Sequence, residues 1–169
     1  MRNMIVVTAA VALIGLTAPS NAQQATTKEQ LLGTWKVLSL KAIAGNNVSY
    51  PLGEKVAGYV TITSDRNWVL LFDSTRKAPA AAALTEAEST AMMKSHGAWT
   101  GKYTTAEQTA DGIKLIAHVD AASNEAINNT DRVYFMRVNG NKLTVTSPGV
   151  VIPATGATSV IVSELVKAD

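Results

Sequence analysis

The sequence predicts an all-β protein in which eight antiparallel strands, in chain order, close into an up-and-down barrel with one short α-helix between strands three and four. Three observations carry that expectation. Eight runs of β-forming residues are separated by short turn clusters rich in Gly, Asn, Asp and Pro. Only one stretch, Leu84–Gly97, has helix signals at both ends. The chain has no cysteine, so nothing but packing and strand pairing can hold it together, and closure of the sheet removes the exposed edges that such a protein would otherwise carry.

Residues 1–22 read as an export signal, with Arg2 as the positive flank, Met4–Leu16 as the apolar run and Ser20-Asn21-Ala22 as small residues at the cleavage position. The run is short for a bilayer span, and no cysteine follows it to carry a lipid, so no stable membrane anchor is expected. The mature chain is expected to begin near Gln23, periplasmic or extracellular, with a mobile polar stretch over 23–30 and a single domain over 31–169. Its 47% hydrophobic content is enough for a sizeable core. The net charge of +2 falls to +1 without Arg2, and the basic residues do not cluster, which excludes a nucleic-acid reading.

Strand one, Leu31–Lys41, carries Gly33-Thr34-Trp35 and alternates so that Trp35, Val37 and Ser39 share a face. Two turn clusters, Ala44–Asn47 and Tyr50–Gly53, lead to strand two, Val56–Thr63. After Ser64–Asn67 comes strand three, Trp68–Asp73, apolar on both faces, whose outer side therefore asks for a cover. The helix Leu84–Gly97 is the expected cover. Thr85 and Glu88 form a capping box, acidic residues lie in its first turn, Lys94 and His96 near its end, and Gly97 is the expected stop. The low-complexity run Ala78–Ala83 leads into it. Strands four to eight are expected at Ala98–Thr104, Gly112–Asp120, Thr130–Val138, Lys142–Ser147 and Ser159–Val166. Asn139-Gly140 signals a type I′ hairpin, and Pro148–Ala157 a longer loop.

The ordered stretches LLGTWKVLS, VAGYVTITSDRNW, SHGAWTGKYTT, KLIAHVDAASN and DRVYFMRVNGNKLTVTSP resemble those of the bacterial and fungal lipocalin-like domain family. The resemblance spans nearly all of the mature chain and implies an eight-stranded calycin-type barrel. Classical lipocalins carry an arginine or lysine after the last strand, packed over the tryptophan of strand one, and here only Lys167 is available, late in the chain. The chain departs from the family pattern at Ala117-His118, where paired histidines are common, and at Tyr134, where arginine is common.

Candidate site residues follow from strand parity. Gly33 and Trp35 are expected to be structural, the indole lying across the closed end with its N–H on a backbone carbonyl. Trp99 and Tyr103 share a face with Gly101 between them, which makes either a pocket or a filled core. Arg132, Tyr134 and Met136 share the expected interior face of strand six, with Arg132 near the mouth, where a guanidinium can bind a carboxylate. His118, the one weak catalytic candidate, stands opposite the apolar row Ile113, Leu115, Ala117 and Val119, so parity turns it outward with Lys114 and Asp120. Two histidines and no cysteine offer no metal-ligand spacing, and no phosphate loop, G-x-S-x-G context or cofactor motif is present. Asn47-Val48-Ser49 and Asn128-Asn129-Thr130 match the glycosylation sequon.

Three functions fit. The first is a barrel that binds a small apolar or amphipathic molecule between Trp99, Tyr103, Tyr134 and Met136, with Arg132 at its polar end. The second is an isomerase- or cyclase-type enzyme that folds a reactive substrate and uses His118 or Tyr103 as its acid. The third is a protein-binding envelope module with an exposed apolar patch beside strand three.

Overall fold

Alternation of apolar residues decides which face of each strand turns inward, and in this chain the inward faces close on one another. The computed structural model describes residues 25–77, 84–151, 156 and 158–168. In order these form α1 (Lys28–Leu31), β1 (Gly33–Ala44), β2 (Asn47–Ser49), β3 (Val56–Ile62), β4 (Arg66–Asp73), α2 (Glu86–Lys94), β5 (His96–Thr109), β6 (Gly112–Ala122), β7 (Asp131–Asn139), β8 (Lys142–Val151) and β9 (Thr158–Lys167). From β3 onward each strand pairs antiparallel with the next, and β1 pairs with both β3 and β9. That double pairing closes an eight-stranded up-and-down barrel. The export signal and the run Ala78–Ala83 lie outside the described residues, as do residues 152–155 and 157 of the expected loop.

The helix does not stand between strands three and four. It follows β4, because Asn47-Val48-Ser49 turns back on the end of β1 (Ile43 opposite Val48) as an added short strand. The helix also ends earlier than its glycine suggested. Ser95 caps it, and Gly97 pairs with Leu71 inside β5. The capping box of Thr85 and Glu88 is formed as expected. None of the residues of α2 is buried, and α2 packs lightly on β5.

The outer face of β4 is therefore uncovered. Trp68 and Leu70 are 54% and 50% exposed, and basic side chains give partial cover, Arg66 over the Trp68 ring and Arg76 over that of Phe72.

Other departures have local causes. In β1 a bulge between Val37 and Ser39 shifts the register, so Leu40 and Ala42 follow Val37 inward, and Ser39 turns out to donate to Glu164. β8 runs through Pro148-Gly149, because a second register shift between Ser147 and Val150 leaves the ladder position of the proline unused. The β7–β8 hairpin turns on Gly140-Asn141, with Asn139 paired to Lys142. Its only positive φ is that of Gly140 (59°), the pattern of a type II′ turn rather than type I′.

Ahead of β1 the described chain from Ala25 makes specific side-chain contacts. The Thr27 hydroxyl and the Gln30 side chain cap α1 reciprocally, and the Thr26 hydroxyl accepts the Val138 N–H at 2.9 Å. Leu31, fully buried, thereby plugs the end of the barrel where β1 begins. There Trp35 donates its indole N–H to the Leu31 carbonyl at 2.8 Å, and Lys167 lies 4.3 Å over the ring while bonding the Leu32 carbonyl. A side chain on Gly33, whose φ is 115°, would strike that lysine.

Candidate functional site

Up-and-down order puts the starts of β5, β7 and β9 and the ends of β4, β6 and β8 at the end opposite Trp35. Between that open end and the plug lies a cavity of about 180 Å³, partly open to solvent. Most of its wall is apolar, from Val37 and Leu40 of β1 through Val69, Leu71 and Met136 to Ile161 and Leu165 of β9. The polar groups that reach it are few: Asn67, Arg132, Tyr134, Ser147 and Ser163.

Inward parity sets each one. On β7, Arg132, Tyr134 and Met136 face in, while Asp131 and Arg137 face out, as the alternation required. Tyr134 stacks on Trp99 with ring centroids 5.5 Å apart and planes within 6°, which makes a flat aromatic wall. Burial raises the Tyr134 phenol above its usual value, and the Arg132 guanidinium beside it pulls it part of the way back. Arg132 forms no ion pair among the described residues, and the carboxylates on the outside of β6 and β7 are engaged there. Asp120 holds Arg66 through both oxygens at 2.8–2.9 Å, and Asp131 holds His118 at 2.9 Å.

Trp99, Arg132, Tyr134 and Met136 thus line the cavity together. Tyr103 does not. It is 7% exposed within the core at the plugged end, where its hydroxyl donates to the Thr63 carbonyl at 2.6 Å and Lys28 lies 5.4 Å from its ring. Gly101 leaves no room between rings either. A Cβ there would lie 2.0 Å from the His118 carbonyl oxygen, so the glycine serves close strand approach at the bulge between Thr100 and Gly101. His118 points outward, as its parity required, and does not reach the cavity. Among the described residues no group of His, Asp or Glu is arranged to hold a metal ion.

Sequence reasoning missed Asn67, read as part of a turn. It is the second residue of β4, 1% exposed and facing the cavity, and its Oδ1 has no hydrogen-bond partner. The signal for it was the alternation itself, since Asn67, Val69 and Leu71 share one face. A shallower groove outside the barrel runs along Tyr59, Trp68 and Leu70 to Ala98 and Ala121.

The lipocalin-like domain family model matches residues 32–166, most of the chain. A search of the curated proteins found no match. The chain belongs to the lipocalin-like domain family.

Proposed function

We propose that this lipocalin-like chain is an exported protein, periplasmic or extracellular after cleavage near Ala22, that binds a small apolar or amphipathic molecule inside its barrel. One observation carries the reading: a largely apolar cavity, walled by the Trp99–Tyr134 stack, into which an arginine without a carboxylate partner among the described residues projects. The apolar wall supplies affinity, and Arg132 orients one polar end near the mouth. The volume is close to that of an engineered apolar cavity that admits benzene, so the enclosed part of the ligand is about one ring in size. No described helix is long and apolar enough to cross a membrane.

The enzyme reading loses both of its acids, because His118 lies outside the cavity and the Tyr103 hydroxyl is held by a backbone carbonyl. The envelope-module reading draws on the exposed Tyr59, Trp68 and Leu70. Native mass spectrometry of the mature protein, gently purified from its own host, tests the leading reading. One small molecule per chain, lost on Trp99→Ala, is the expected result. A ligand-free mass, together with a specific cross-link from a photoreactive residue at position 68 to a host protein, would replace it with the module reading.

A further inference from the structure

We propose that the cavity takes a small single-ring carboxylic acid that carries a hydroxyl or similar hydrogen-bonding group at the end opposite its carboxylate. The proposal rests on the ligand-binding reading above and names the ligand class. Its starting point is Asn67. A buried amide oxygen left without a partner is costly, and structures that keep such a group give it a partner from elsewhere. No neighbouring strand supplies one to Oδ1. Opposite Asn67 on β5 is Gly101, which has no side chain, and on β3 its register partner is Ile62. The carboxamide lines the cavity, and rotation about its last bond presents oxygen or nitrogen to a hydroxyl, which both donates and accepts.

The position of Asn67 along the barrel gives the ligand a direction. Ile62, fully buried, belongs to the core around Trp35, so Asn67 stands at the end of the cavity nearer the plug. Arg132 is the second residue of β7 and stands toward the open end. An uncompensated cation at the mouth, an unsatisfied amide in the depth and an aromatic wall between them describe a molecule with an anionic head, a flat apolar middle and a polar tail. The volume of about 180 Å³ limits that middle to one ring.

The test is calorimetric titration of the mature protein with 4-hydroxyphenylacetate, phenylacetate and 4-methylphenol. The hydroxy acid is expected to bind about fivefold tighter than phenylacetate and at least tenfold tighter than 4-methylphenol, in line with one neutral and one charge-assisted hydrogen bond. Asn67→Leu should erase the first ratio and keep the second, and Arg132→Gln should do the reverse. The wild-type series carries the test by itself if a variant does not fold. Equal binding of the hydroxy acid and phenylacetate overturns the proposal, for a water then satisfies Asn67 and the ligand-binding reading stands. No binding by any of the three also overturns it. In that case a co-purifying molecule of another class keeps the broader reading, and a ligand-free mass together with the cross-link from position 68 ends both.

Discussion

The two ends of this barrel use the same residue type for opposite purposes. At the plugged end Trp35 is 1% exposed, its N–H is bonded to Leu31, its face is covered by Lys167, and it belongs to the main core cluster. Toward the open end Trp99 is only partly buried, has one ring stacked on it and borders empty space. Where the polar groups of an interior are satisfied and its volume is filled, the residues hold the fold. Where a cation has no carboxylate, an amide oxygen no donor and a void no side chain to fill it, the interior is prepared for something else.

The largest effect should come from testing that division directly. Trp35→Ala removes a filled site and its hydrogen bond, and should cost about 3–5 kcal/mol. Trp99→Ala enlarges a void that already exists, and should cost about 1–2 kcal/mol, less than the loss at a close-packed site. Urea unfolding measures both. Equal losses would mean that the open end is as close-packed as the plug, and the comparison would fall.

Next in size is Lys167→Met. It keeps the aliphatic stem but removes the charge over Trp35 and the bond to the Leu32 carbonyl, so about 1–2 kcal/mol should be lost. Affinity for a cavity ligand should not change. A change in affinity would show that the two ends are coupled and the plug is not independent of the cavity.

How much of this was legible in the sequence follows the same line. Trp35 and the inward set of β7 were legible because alternation places them, Gly33 because the Gly33-Thr34-Trp35 signature marked it, and parity also turned His118 outward. Ser39 was misplaced because one extra residue in a bulge inverts the faces that follow, and no local signal marked it. Tyr103 shares a face with Trp99, but β5 runs from the open end to the plug, so their common parity says nothing about which end each one serves. Asn67 was read as loop because its type favours turns, although its spacing to Val69 and Leu71 gave the face. The uncovered side of β4 was misjudged for another reason. An apolar face asks for a cover, but arginines stacked on the rings relieve part of that demand without a helix.

A smaller effect should appear at alkaline pH. Burial raises the phenols of Tyr134 and Tyr103 above their usual value near 10, with Asp65 adding to the rise at Tyr103. The unfolded chain therefore loses these protons first, and above pH 10 the folded state binds more protons than the unfolded one. Stability should be level below pH 10 and fall as pH climbs toward the folded values. Tyr134→Phe should flatten part of that fall in unfolding curves, and an unchanged slope would place the phenol in water.

The smallest expected effect belongs to the pair that looked most like chemistry. His118 and Asp131 lie 2.9 Å apart, but their side chains are 57% and 67% exposed on the outside of β6 and β7. An exposed pair of this kind contributes between zero and about 1 kcal/mol and is screened by salt. His118→Gln should therefore shift stability by no more than about 0.5 kcal/mol and leave cavity binding unchanged in the titrations that respond to Arg132→Gln. The contrast is informative because the two residues face opposite sides of the same sheet, one register step apart: Arg132 is paired with Ala117, His118 with Asp131. If His118→Gln weakened ligand binding as much as Arg132→Gln does, the site would have to extend through the wall of the barrel, and inside and outside would no longer divide function from surface.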